Sequence, residues 1–293
     1  MTIIDAHQHV WDLTQREVYD WPDEGVPTIN RTMTLAEIGP AMRRAGVGAT
    51  VLVQAADHAA DTAHMLAVAD QHPEVVGVVG WVPLDEPARA AEQLESLRQQ
   101  PIIVGIRALI HTMSDPDWIL RADVGESLGM LEAADLSYDF VTSDPRALAH
   151  VPTLGQRHPG LRIVIDHLGK PPIGGDAAAR KAWRDAIAAA AENPLVHAKV
   201  SGLYPAVGAM DGWSVDTIRP FVDDALDVFG PSRLLAGGDW PVSELAGGYE
   251  RTWSAIITIA DELDPGSRDA ILGGTAARFY RIPEERLARA SSF

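Results

Sequence analysis

Two hydrophobic patterns alternate along the chain. Short, nearly unbroken runs of Val, Ile and Leu recur, separated by longer stretches with helical spacing. Eight such runs stand out, at residues 2–9, 49–55, 75–81, 103–110, 136–142, 161–167, 195–202 and 233–240. "VVGVVGW" and "ATVLVQA" show almost no polar alternation, as expected of parallel strands covered on both faces. Alternating β and α segments predict an α/β fold with a parallel sheet. Eight strands in 293 residues match a single (β/α)8 TIM-like barrel. An open doubly wound sheet is the alternative. The first run is not followed by G-x-G-x-x-G, which counts against its dinucleotide-binding form.

Helix ends are legible as well. "TLAE" (34–37) reads as a capping box, with Thr34 as N-cap and Glu37 three residues on, and Gly46 is placed to stop that helix. "SDP" (143–145) starts another, with Asp144 or Ser143 as cap and Pro145 in the first turn. Residues 175–193 are Ala-rich and form the clearest helix, and 267–281 read as a closing helix. No linker or low-complexity tract interrupts the pattern, so residues 1–293 read as one domain. Two connections are long: 10–33, holding Trp11, Tyr19 and Trp21, and 203–216, holding Tyr204 and Trp213. Both fall at the carboxyl ends of strands, where barrels of this kind keep their sites.

Composition narrows the options. With 46% hydrophobic residues the chain can bury a large core. No apolar stretch approaches the ~20 residues that span a bilayer. No basic-then-apolar leader opens the chain, so a cytoplasmic protein without a membrane partner is expected. The absence of cysteine removes disulfides, thiolate ligands and cysteine nucleophiles, and fits a reducing compartment. Acidic residues outnumber basic ones 41 to 24, a net charge of −17 that repels nucleic acid. The partner expected is a small-molecule substrate, and the sequence leaves a homo-oligomer open.

Polar residues gather at the ends of the apolar runs. In "DAHQHVWD" (5–12), strand alternation puts His7 and His9 on one face. The following strand ends offer Gln54, Trp81, Arg107 with His111, and Tyr138. The last three offer His167 with Lys170, Lys199 with Ser201, and Asp239 with Trp240. Tyr204 lies just past strand seven. A buried arginine such as Arg107 needs an anion, structural or substrate. Asp166 alternates with His167 and reads as an outer support. Trp11, Trp21, Trp81 and Trp240 suit a sugar-binding wall. His58, His64, His72, His150 and His158 read as surface residues.

Together "DAHQHVWD", "VVGWVPL", "GIRALI", "YDF", "DHLGKPPI", "KVSGLY", "GGDWPV" and "AARFY" resemble the amidohydrolase superfamily, in particular its lactonase branch. The likeness is collinear from about residue 3 to 281. It implies a (β/α)8 barrel that hydrolyses small cyclic esters, with functional roles at His7, His9, His167 and Asp239. On this reading Asp239 is the general base, taking a proton from water and returning it to the leaving oxygen. Arg107, His7, His9 and His167 stabilise the oxyanion. Gln54, His111, Lys170, Ser201, Tyr204 and Trp240 are candidates for binding substrate. His7, His9 and Asp239 could hold one zinc ion.

Three departures from the family pattern stand out. The fifth run, "SYDFVT", lacks the metal-bridging lysine or metal-binding histidine usual in the superfamily, so either no cofactor is required or one zinc is held. Gly238 stands where relatives often carry serine, and Thr32 follows Arg31 where they often carry aspartate. Both are expected near the determinants of specificity. Rival readings are a mononuclear-zinc decarboxylase or amidohydrolase of the same superfamily, and a non-catalytic binding barrel. A phosphate-binding barrel is disfavoured by the tryptophan and proline of "GGDWP".

Overall fold

A computed structural model describes residues 1–206 and 208–290. Its eight strands are β1 (Ile3–Gln8), β2 (Val47–Val53), β3 (Val75–Gly80), β4 (Ile103–Ala108), β5 (Ser137–Phe140), β6 (Ile163–Ile165), β7 (Val196–Val200) and β8 (Leu234–Ala236). They form one parallel sheet in chain order. Beyond the end of β8 the sheet meets β1: Asp239 N–H donates to the His7 carbonyl at 2.8 Å and His9 N–H to the Trp240 carbonyl at 2.7 Å. The fold is thus the expected TIM barrel.

The helices are α1 (Leu35–Arg44), α2 (Ala59–Gln71), α3 (Pro87–Leu97), α4 (Ala122–Ala133), α5 (Pro145–Leu148), α6 (Val151–Arg157), α7 (Ala177–Ala191), α8 (Val215–Phe229), α9 (Tyr249–Ala260), α10 (Pro265–Asp269), α11 (Thr275–Phe279) and α12 (Glu284–Ala290). Their apolar faces join the outward side chains of the sheet in one large core. A smaller cluster joins Ile4, Ala6, Val51, Val79, Val104, Val164 and Leu235 of the strands to Phe279 and Tyr280, which close the amino-terminal end.

Several expected elements changed. β6 and β8 are three residues each, shorter than the runs 161–167 and 233–240, and His167 and Asp239, just beyond them, adopt left-handed φ angles of 55° and 52°. Thr34 is the N-cap of α1, but its side chain makes no capping bond. Glu37 instead accepts from Arg31 at 2.9 Å. Asp144 does cap α5, accepting from the Arg146 N–H at 2.8 Å. The closing helix is broken into α10 and α11 by a wider turn at Ala270–Gly274, where Gly273 is non-helical. His158, expected at the surface, is buried near Glu132.

Candidate active site

β1 carries an irregularity that sets the site. Asp5 pairs with Thr50 and Gln8 with Leu52, so three steps of β1 oppose two of β2. Asp5 turns outward, accepting from the Gly238 N–H at 2.8 Å and the Tyr249 hydroxyl at 3.0 Å. Burial pushes its carboxyl up to about 6, despite the hydrogen bonds it accepts. Gln8 also faces outward, accepting from Thr50 at 2.6 Å. His7 and His9 both face inward, with their Nε2 atoms 3.2 Å apart.

Beneath these imidazoles lies a closed set of charges. Arg107 Nη1 donates to Asp166 Oδ2 at 3.0 Å, and its Nη2 donates to the Gln54 carbonyl. Lys199 Nζ donates to Asp139 Oδ2 at 2.6 Å and lies 2.9 Å from Asp166 Oδ1. The Tyr280 hydroxyl completes Asp139 at 2.7 Å. Two cations and two carboxylates, all buried, offset each other's desolvation. Burial alone would raise Asp166, but Lys199, His7 and Arg107 outweigh it and hold the carboxyl well below its ordinary range.

Asp166 therefore corrects the outward placement expected from strand alternation. His167 leaves the β conformation, so neighbours that alternation would separate both face the barrel interior. His167 packs on His7 with ring centroids 4.5 Å apart, and its Nδ1 meets Ser201 Oγ at 2.9 Å. Burial lowers both His7 and His167 well below the usual imidazole value, so both rings are neutral near pH 7.

Asp239 is the floor of the site. Its Oδ1 lies 3.6 Å from His9 Nε2, 3.7 Å from His7 Nε2 and 3.9 Å from His167 Nε2. Burial would raise this carboxyl, but the imidazoles of His167 and His9 and the Lys170 ammonium hold it down at about 2. Above it opens a cavity of about 340 Å³ lined by His9, Trp11, Trp21, Arg107, His111, His167, Lys170 and Asp239. Arg107 Nε is buried without a protein partner.

Of the residues singled out in the sequence, His9, Arg107, His111, Lys170, His167 and Asp239 line the cavity, and His7 lies directly behind them. The other four do not line it. Gln54 Nε2 donates to Asp57 at 3.0 Å and to the Arg107 carbonyl at 3.1 Å, which holds Arg107. Ser201 orients His167. Tyr204 borders Trp213, Thr252 and Ile256, with its hydroxyl against Asp239 and its ring 6.0 Å from Lys170 Nζ, and Trp240 turns toward Met33, Ile38 and Tyr249. Of the tryptophans proposed as a wall, only Trp11 and Trp21 face the cavity. The two rings meet edge to face, 5.9 Å apart. Sequence reasoning missed Asp139, placed Asp166 on the outer side and left Lys199 without a role. The signal was there: acids inside "YDF" and "IVIDH", and a lysine inside "HAKVSG", all in fully buried strand runs.

His7 Nε2, His9 Nε2 and Asp239 Oδ1 are separated from one another by 3.2, 3.6 and 3.7 Å. Ligands about 2.0–2.2 Å from a tetrahedral ion stand about 3.3–3.6 Å apart, so this donor set fits one divalent metal. A second group, His7, Asp166 and His167, is also close enough, but Asp166 already faces Lys199 and Arg107.

A barrel with imidazoles and an aspartate at its carboxyl end is the architecture of a metal-assisted or acid–base hydrolase. The amidohydrolase family pattern matches residues 4–282, and the chain belongs to that family of hydrolases. A curated relative from Burkholderia ambifaria, L-fucono-1,5-lactonase, is 38% identical over 283 residues, 95% of each chain. A protein of the same name from Burkholderia multivorans is 33% identical and covers 98% of both. A crystal structure of an amidohydrolase from Burkholderia multivorans with bound zinc superposes with a TM-score of 0.89 at 33% identity, covering 97% of this chain and all of that one.

Proposed function

We propose that the protein opens a small lactone, of the sugar-acid type, by water attack on the ester carbonyl. The observation that carries this reading is the placement of one ionised aspartate among three imidazoles at the floor of a cavity that Arg107 also lines. The full-length likeness to two proteins named L-fucono-1,5-lactonase supports it.

Asp239 accepts the proton of the attacking water and returns it to the ring oxygen as the C–O bond breaks. A base held down at about 2 is a weak one, but it is ionised at every working pH. Arg107, which lines the cavity, donates to the carbonyl oxygen as charge develops there. His167, oriented by Ser201, stands beside Asp239 and donates to the same oxyanion. Trp11 and Trp21 cover the apolar face of the ring, while His111 and Lys170 meet its hydroxyls and the carboxylate formed on opening. A divalent metal, if held, would sit on His7, His9 and Asp239 and supply Lewis acidity toward the carbonyl.

Base consumption would be followed with sugar-acid lactones that differ at one hydroxyl, L-fucono-1,5-lactone among them, and with an aliphatic lactone lacking hydroxyls. Hydroxylated lactones should turn over faster, with and without chelator, and Asp239→Asn should remove turnover. Lack of turnover of every lactone by a folded protein would exclude the reading.

A further inference from the structure

Lys199 is buried on β7 and touches no part of the cavity, yet it reaches the back of His7. An ammonium has three hydrogens and no acceptor. Three groups surround this one: Asp139 Oδ2 accepts at 2.6 Å, Asp166 Oδ1 forms an ion pair at 2.9 Å, and His7 Nδ1 lies 3.1 Å away. The ring atom facing Lys199 must then present its lone pair.

The front of the ring points to the same answer. His9 Nδ1 lies 2.7 Å from the Val53 carbonyl, which only accepts, so His9 carries a proton on Nδ1, and in the neutral ring the lone pair is on Nε2. That lone pair faces His7 Nε2 at 3.2 Å. With His7 protonated on Nε2, one direction runs through the whole line: Lys199 to His7, His7 to His9, His9 to Val53. With His7 protonated on Nδ1, two hydrogens oppose each other at Lys199 and two lone pairs oppose each other at His9. Two contacts argue for that second form, and both are longer. Arg107 Nη1 approaches Nε2 at 3.4 Å, and Asp166 Oδ1 stands 3.3 Å from Nδ1.

We propose that Lys199 is a positioning residue that fixes His7 as the Nε2–H tautomer, making it a hydrogen-bond donor toward the site and withholding its lone pair from a metal. Binding a divalent ion at His7, His9 and Asp239 then requires the His7 proton to move from Nε2 to Nδ1, where Asp166 Oδ1 is the waiting acceptor. The lysine thus sets the threshold for metal at this site. The inference concerns protons in the substrate-free protein, so the fate of the lactone reading does not decide it.

Histidine ¹⁵N NMR on the full chain, after dialysis against chelator, reads the tautomer directly. His7 is assigned by the signal lost in His7→Gln. The expected spectrum shows His7 protonated on Nε2, and a spectrum with the proton on Nδ1 overturns the proposal. The second measurement is zinc affinity, by competition with a chromophoric chelator. It uses Lys199→Met combined with Asp139→Asn, which removes the lysine without stranding its carboxylate. Zinc should bind this variant about 10–100-fold more tightly, and His7 should move to the Nδ1–H form. Unchanged or weaker zinc affinity in a folded variant overturns the proposal. If the variant does not fold, the spectrum of the unsubstituted protein decides alone.

Discussion

Two neighbouring residues of the strand-eight turn, Gly238 and Asp239, face opposite ways and carry opposite expectations. Asp239 turns in through a left-handed φ of 52°, a conformation that a non-glycine residue holds only when its surroundings enforce it. Its carboxyl stays charged above about pH 2, so the base form is not lost as pH falls from 8 to 4. A kcat/KM profile of His111→Asn, which removes the cavity imidazole lowered to about 4, should therefore show no acid limb with a midpoint near 4, and such a limb would place Asp239 at an ordinary carboxylate value. Gly238 turns out. A Cβ there would stand 2.4 Å from Tyr249 and 2.7 Å from both Asp5 and Trp253. Gly238→Ser should cost about 1–3 kcal/mol in denaturant unfolding through overpacking. It should leave the ranking of lactones unchanged, and an altered ranking would show that position 238 does set specificity. The sequence pointed to the strand-eight turn, but not to which side each residue faces.

At the scale of elements, the first and sixth strands show why the site was legible only in part. Strand ends rich in His, Arg and Asp were visible, because polar groups at the ends of buried runs have few packing explanations. Period-two alternation then misplaced Asp166, since the backbone reverses at His167. It was also insufficient at β1, where an extra residue lets Ala6 and His7 share the inner side. Backbone departures of this kind leave no periodic trace. The long connection 10–33 behaved as expected. Thr32 fastens it by donating to Asp12 at 3.2 Å, and Trp11 Nε1 donates to the Arg31 carbonyl at 2.7 Å. Trp21, one of the few large hydrophobic residues left exposed, stands over the cavity from this loop. Trp21→Ala should raise KM about 3- to 10-fold with kcat little changed, the signature of a contact made equally to substrate and transition state. A matching fall in kcat would instead assign the ring to the reaction step.

For the whole molecule, the amino-terminal end of the barrel is tied to the site by one hydroxyl. Tyr280 follows α11, packs edge-on to Phe279 with centroids 4.9 Å apart, and reaches Asp139 from below. Asp139 in turn holds Lys199, and Lys199 borders Asp166 and His7. The segment after α11 and the floor of the cavity therefore share one buried charge network. Tyr280 is fully buried, and burial with the adjacent carboxylate pushes its hydroxyl well above the ordinary phenol value, so it stays a donor. Tyr280→Phe keeps the ring and removes only that donor. The volume is conserved, so no cavity term enters. The loss is one hydrogen bond to a charged group, about 1.5–3 kcal/mol. Urea unfolding should show that decrease at unchanged m-value. Lys199 still holds Asp139, so kcat/KM should fall by less than about tenfold, whereas Asp239→Asn removes turnover. A Tyr280→Phe protein as stable as the original would mean that Lys199 alone satisfies Asp139, and that this segment closes the barrel by packing rather than through the charge network.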